Sequence, residues 1–362
     1  MLKRREKISE VAREVETEIL SNDRPKTRVE FLHTGLTLLN LALSGKGKDG
    51  GWARGRIINV VGDGSSGKTL LALELAAQCF FNLRKKKSEI FPPIKNLQIV
   101  YNNVESVMDF PLEEMYGRKF VEAIEWIQTP TIEGFGRDYG RRVMELRPGT
   151  FLLYIVDSYD SLTSEAGMER FENAAKKDKS EDGTYGMEKA KYGSSSFFNN
   201  ICGLMEEKDA TLFIISQVRD NIGVTFGKKH TRSGGKALNF YTHQVSWLSE
   251  VEKLRRTFKK DTRTYGIRVR AKIERNKTAK PFREAEFIIL FDYGVDDVGS
   301  NLAWLYGPEV KKLPWDGTEY IREDLIRHIE KNELEDILAK EVEKGWLDIE
   351  ENIKPNRKKK FE

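Results

Sequence analysis

The chain has 362 residues, enough for one large core and a smaller appendage, because single cores stop growing at about 250–300 residues. Apolar residues make up 39% and charged residues 33%, a balance that excludes disorder and leaves a folded protein with a heavily charged surface. Two cysteines, Cys79 and Cys202, with no metal-ligand spacing around them, exclude a disulfide framework or a structural zinc. No apolar run of about 18 residues and no export-type start are present, so a cytoplasmic protein without membrane spans is expected. The net charge of +4 conceals basic clusters at Lys85–Lys87, Lys228–Lys229, Arg255–Arg256, Lys259–Lys260 and Arg357–Lys360, so any nucleic-acid footprint is local.

Taken in chain order, residues 1–32 begin as an amphipathic helix with Ile8, Val11, Val15, Ile19 and Leu20 on one face, ending at the Asn22–Pro25 turn signal. Both a solvated flap and an oligomerisation arm fit that pattern. Residues 33–306 are the predicted core, within which short apolar runs alternate with helical segments from Arg56 to about Phe291. The runs are Ile57–Val61, Leu97–Tyr101, Phe151–Val156, Leu212–Ile215, Ile267–Ile273 and Phe287–Phe291. The pattern predicts an α/β core, a mainly parallel sheet flanked by helices and buried on both faces. Two polar, glycine-containing interruptions, about 163–192 and 218–235, read as long functional loops. Residues 307–362 read as a small helical appendage, with Ile321, Leu325 and Ile329 on one face and Leu334, Ile337, Leu338 and Val342 on another, followed by a basic tip.

Gly62, Asp63, Gly64, Ser65, Ser66, Gly67, Lys68 and Thr69 spell GDGSSGKT directly after the strand IINVV and ahead of the helix LLALELAAQ. This is a phosphate-binding P-loop in the required context. Its glycines let main-chain N–H groups close around a phosphate, Lys68 reaches the β- and γ-phosphates of ATP, and the Thr69 hydroxyl holds Mg2+. Asp157 ends the strand FLLYIVD; it fits the magnesium-side carboxylate, as it also fits a plain turn-capping aspartate. Glu105 emerges just past LQIVYNN, where a carboxylate can position water for attack on the γ-phosphate.

This order of parts, followed by SQVRDNIGVTFGKKHTRSGGKALNFY, resembles the RecA family of recombinases, whose second DNA-binding loop that segment matches. RVRAKIERNKTAKPFREAEFIILF is similar to the strand pair that follows it, and TGLTLLNLALSGKGKDGGWARGRIINVVGDGSSGKT to the lead-in to the P-loop. The likeness covers residues 33–291. It implies a RecA-type core and an ATP-dependent recombinase with DNA-stimulated hydrolysis. Such a protein forms filaments on single-stranded DNA and exchanges strands with homologous duplex DNA.

Residue by residue, the resemblance implies a catalytic role for Glu105, γ-phosphate sensing by Gln217, and metal binding by Thr69 and Asp157. Asp109 falls at the spacing of a nucleotide-side residue, but no aromatic matches beyond it. DNA contacts fall to Arg219, Asn221, Ile222, Phe226, Lys228, Thr231, Arg232, Gly234 and Gly235, with Lys189 and Lys191 in the earlier loop. Arg275 and Lys277 correspond to cations that reach the ATP of a neighbouring subunit, and Phe240 to an interface aromatic. On residues alone, the cation pair also reads as solvated charge and Phe240 as core. The chain departs from the family at Asn221, where lysine is usual, in its longer and more polar first loop, and in its C-terminal segment and basic tip. These departures fit a divergent or phage-type member. A mediator that binds DNA without strand exchange and a ring-forming motor are the alternatives.

Overall fold

The computed structural model describes residues 29–106, 108, 110–177, 197–220, 230–232 and 235–358. The arm expected at 1–32 lies almost wholly outside them. A short ladder of β1 (Phe31–Leu32) and β2 (Trp52–Ala53) brackets α1 (Thr37–Ser44), whose residues 37–43 are all buried. Then come β3 (Ile57–Gly62), α2 (Lys68–Asn82), β4 (Asn96–Asn103), the short helices α3 (Leu112–Tyr116) and α4 (Arg118–Glu122), β5 (Ile124–Ile127) and α5 (Ile132–Glu145). Next are β6 (Thr150–Asp157), α6 (Glu165–Lys177), α7 (Phe198–Lys208), β7 (Ala210–Asp220), β8 (His230–Arg232) and α8 (Gly235–Tyr241). The chain continues through β9 (Gln244–Phe258), β10 (Asp261–Asn276), β11 (Glu284–Leu290), β12 (Gly294–Asp296) and α9 (Asp297–Tyr306). It finishes with β13 (Lys312–Trp315), β14 (Thr318–Ile321), α10 (Arg322–Lys331) and α11 (Glu335–Asn352).

The main sheet has the order β12-β11-β10-β9-β3-β7-β6-β4-β5. From β5 to β9 every neighbouring pair is parallel; from β9 to β12 every pair is antiparallel. Alternation sends successive side chains to opposite layers. In β6, Leu153 and Ile155 pack with Leu71 and Leu75 of α2, while Leu152, Tyr154 and Val156 pack with Phe135 of α5 and Ile201 of α7. Every residue of β3 and β6 is buried. The α/β core is therefore the one that the near-continuous apolar runs require. No helix among the described residues is long and apolar enough to cross a membrane.

Three features differ from the sequence reading. The first part of the segment read as a loop at 163–192 is helix α6; EAGMERFENAAKK is polar, but Ala, Glu, Lys and Met are good helix formers. Strand β9 was missed because only Gln244–Leu248 lies in the sheet interior, while Ser249–Phe258 runs on with β10 as a mostly exposed, charged hairpin. Near its end Arg256 lies 4.8 Å over the Tyr265 ring. The appendage is also not purely helical. The hairpin β13–β14 precedes α10 and contains Ile321, which is exposed, as is Ile337. Leu313, Leu325, Ile329 and Leu338 pack with Val298 and Leu302 of α9, whereas Val342 joins the main core.

Two polar ties hold these pieces. Asp297 accepts hydrogen bonds from the Thr37 main-chain N–H (2.6 Å) and hydroxyl (2.8 Å), joining the start of α9 to that of α1. Burial raises its carboxyl to about 6. Near the end of α11, Glu350 takes a bidentate pair from Arg283 (2.8 and 3.0 Å) and a third bond from Lys280 (2.8 Å). The Arg283 bond is the main reason its carboxyl falls from 4.5 to about 2. A carboxylate with a depressed folded-state pKa stabilises fully above its unfolded value and loses that contribution as pH falls through the folded value. Glu350→Gln should therefore cost about 1 kcal/mol at neutral pH, after allowance for solvent screening. Thermal melts across pH should show the difference from wild type intact above pH 4.5 and vanishing toward pH 2.

Candidate functional site

The P-loop follows from the end of β3. Gly62 leaves no room for a side chain, since a Cβ there would stand 2.4 Å from Ser66 Oγ. Gly67 has φ +86°, and an added Cβ would meet Ile289 Cδ1 at 2.3 Å. As the residue before α2 it carries no capping side chain, which leaves the first amides of the helix to an anion. Gly64, in contrast, faces open space. Lys68 is buried and donates to the Asp63 carbonyl at 2.5 Å. Burial lowers the pKa of its ammonium, against the pull of Asp157 and Glu105 nearby.

Strands β3, β4, β6 and β7 deliver polar residues to the same edge. Thr69 Oγ1 donates to Asp157 Oδ2 at 2.8 Å, and the Tyr101 hydroxyl donates to the same oxygen at 2.6 Å. Burial raises the Asp157 carboxyl even so. Glu105 Oε1 accepts from Ser158 Oγ (2.5 Å), Gln217 Nε2 (2.8 Å) and Ser161 Oγ (3.2 Å). The Gln217 main-chain N–H donates to Asp160 Oδ2 at 2.8 Å. Lys68, Thr69, Glu105, Asp157 and Gln217 thus meet in one site. A cleft of about 320 Å³ adjoins it, between Ser65, Gly67 and Leu70 on one side and Phe110, Met115, Ile289 and Phe291 on the other.

Arg275 and Lys277 sit elsewhere. Arg275 Nη1 donates to the Asn239 carbonyl, and Lys277 Nζ donates to the Phe240 carbonyl at 2.8 Å, so both cap the end of α8. Lys277 Nζ also lies 5.5 Å over the ring of Phe240, which is 64% exposed and not core. Asn276 pairs with Gln244, which pairs with Ile58, whereas the P-loop leaves from Gly62 beside Leu248. Four residues of strand, about 13 Å at ~3.3 Å each, separate these levels along the sheet.

The profile of the RecA N-terminal domain matches residues 7–90 and 143–296. Protein RecA of Synechococcus elongatus is 30% identical, over 86% of this chain and 79% of its own. Protein RecA of Synechococcus sp. strain CC9605 is 29% identical, over 86% and 75%, and that of Parasynechococcus marenigrum 28%, over 93% and 82%. The chain belongs to the RecA family.

Within this RecA-family chain, the described residues of the segment 218–235 include a two-stranded ribbon. Val218, Arg219 and Asp220 of β7 pair with Arg232, Thr231 and His230 of β8, and Gly235 opens α8. Asn221, Ile222, Phe226, Lys228, Gly234, Asp109, Lys189 and Lys191 lie outside the described residues. Sequence reasoning missed Tyr101, Ser158, Asp160 and Ser161. The run VDSYDS, with three more polar side chains just beyond a buried strand, was the available signal. It also missed Phe110 and Phe291, whose common cleft joins segments about 180 residues apart and has no local signature.

Two of the three P-loop glycines, Gly64 and Gly67, make a direct test. Gly67→Ala should lose at least about 1–2 kcal/mol from its left-handed backbone alone, whereas Gly64→Ala should stay within about 0.5 kcal/mol of wild type. Denaturant unfolding of both variants measures the contrast.

Proposed function

We propose that this RecA-family ATPase assembles head-to-tail on single-stranded DNA and exchanges strands with homologous duplex DNA in recombination and repair, with ATP held between successive subunits. The observation that carries the proposal is the separation of Arg275 and Lys277 from their own P-loop by the length of β3. Cations at the opposite end of the sheet can serve a nucleotide only on another copy. Heterologous contacts of that kind propagate as an open helix unless the rotation closes them into a ring. Residues 1–32 would supply the arm between subunits, Phe240 part of the interface, and 307–362 a peripheral domain; the assembly would act in the cytoplasm.

At each nucleotide, Lys68 would exchange the Asp63 carbonyl for phosphate oxygens, and the amides opening α2 would take the rest of the charge. Thr69 and Asp157 are a hard-oxygen pair suited to Mg2+, which when bound would offset the negative charge of the β- and γ-phosphates. Phe110 and Phe291 would enclose the adenine, and Asp109 would contact the nucleotide. Glu105 would orient the attacking water, and the Gln217 amide, now on Glu105, would turn to the γ-phosphate. Arg275 and Lys277 of the next subunit would stabilise the charge that leaves with it. Because Gln217 is the last residue before the ribbon, that turn alters loop order at a cost of only a few kcal/mol. Arg219, Lys228 and Arg232 would neutralise DNA phosphates, Ile222 and Phe226 would lie against bases, and Gly234 and Gly235 would donate main-chain N–H groups. Such contacts read backbone shape, so little sequence preference is expected.

Lys68→Ala should lose productive ATP binding. Glu105→Gln should keep binding but slow hydrolysis about 100-fold or more. Steady-state hydrolysis and binding of a fluorescent nucleotide separate the two, and normal turnover by Glu105→Gln would remove that residue from the chemistry.

Mixing decides whether the cations act in trans. Glu105→Gln and Lys277→Ala should each be nearly inactive alone. In equal mixture about a quarter of the head-to-tail interfaces receive both intact halves, so DNA-stimulated hydrolysis should return. A mixing series that stays at background, with co-assembly verified on labelled DNA, would refute the shared site.

A further inference from the structure

The ladder between β6 and β7 ends at Val156 and Ile214, three residues before Gln217. Main-chain N–H groups alternate sides along a strand. That of Leu212 goes to the Arg56 carbonyl on the β3 side, so that of Gln217 points toward β6. By this level β6 has given way to the 3₁₀ turn Tyr159–Ser161. Asp160 Oδ2, at 2.8 Å, receives the N–H in place of a ladder carbonyl. Ser161, the next residue of the turn, donates to Glu105 at 3.2 Å and lies 3.1 Å from Ser158 Oγ. One turn therefore grips both the main chain of Gln217 and the carboxylate on which its amide rests. Gln217 is also where β7 changes partners. It pairs with Gly62 in the main sheet, while Val218 already pairs with Arg232 in the ribbon.

We infer that Asp160 is a positioning residue that couples the nucleotide site to the DNA ribbon by fixing the point at which β7 leaves the sheet. With the main chain of Gln217 anchored, a turn of its side chain from Glu105 to nucleotide is transmitted into Val218 and the ribbon. Without the anchor, the same turn is absorbed by a loose strand end. This inference rests on the roles proposed above for Glu105 and Gln217.

The test compares Asp160→Ala with Asp160→Asn, whose side-chain carbonyl can accept the same N–H. Hydrolysis is measured with and without single-stranded DNA, together with the KM for ATP, and hydrogen exchange is followed over residues 212–220. In Asp160→Ala, DNA stimulation should fall about tenfold, within the usual range of coupling between sites, while KM moves less than about twofold. Exchange over 212–220 should quicken. Asp160→Asn should keep stimulation within about twofold of wild type. If Asp160→Ala does not fold, Asp160→Glu, whose longer arm displaces the acceptor, carries the same expectation. Wild-type stimulation and exchange in Asp160→Ala, or equal loss in Asp160→Asn, would overturn the inference. A wild-type protein indifferent to DNA, or a Glu105→Gln variant that hydrolyses normally, would instead overturn the underlying functional reading.

Discussion

The hydrogen bond between the Gln217 amide and Glu105, 2.8 Å long, joins residues 112 positions apart in the chain. It exists because neighbouring parallel strands end at one level. Asn103 of β4 lies beside Asp157 of β6, and Gly62 of β3 lies beside Gln217 of β7. Parallel pairing puts all their C-terminal ends on the same edge, where the polar residues that follow the apolar runs collect. The register is held by burial on both faces. A slip of one residue in β7 would present Phe213 and Ile215 to the layer occupied by Leu212 and Ile214, and would move Gln217 off Glu105. Packing in the core therefore sets the geometry of the polar site.

The antiparallel half of the sheet serves a different purpose. Strand β9 runs with β3 toward the P-loop edge and β10 runs back. The return carries Arg275 and Lys277 to the far edge, onto the carbonyls at the end of α8. Those carbonyls form the negative pole of a short helix, which holds the two cations side by side despite their mutual repulsion. Burial and the Arg275 charge both lower the pKa of the Lys277 ammonium. Chain direction alone thus places these cations at the sheet edge opposite the P-loop, as the proposed head-to-tail assembly would require.

The legible parts of the sequence were those with a fixed local grammar. GDGSSGKT needs a strand before it and a helix after it, and both were visible; the runs that became β3 and β6 were continuous because both faces are covered. What escaped was decided by distant partners. Trp247 and Leu248 belong to a strand, but most of the residues after them are exposed and form no apolar run. Phe110 and Phe291 become neighbours only when β11 is laid beside the P-loop. Asp160 and Ser161 look like ordinary turn residues until the main chain of Gln217 arrives beside them. Helix α6 was hidden by its polarity, although its residue types favour helix.

The internal bonds of the site also bear on how it can switch. Lys68 rests on the Asp63 carbonyl, Thr69 on Asp157 and Gln217 on Glu105. Each group therefore already has a partner within the protein, although of these residues only Lys68 and Asp157 are buried. In the proposed cycle, nucleotide would exchange these bonds for others, and the net driving force would come from the difference between the two sets. Lys68 would gain most from that exchange. Its ammonium is disfavoured by burial, and a phosphate brings more negative charge than the carbonyl it replaces. Gln217 would gain least, because a carboxylate is already a strong acceptor. In the proposed switch, a near-balanced bond at Gln217 beside a nucleotide held by Lys68 would let a modest second input from the ribbon tip the glutamine either way.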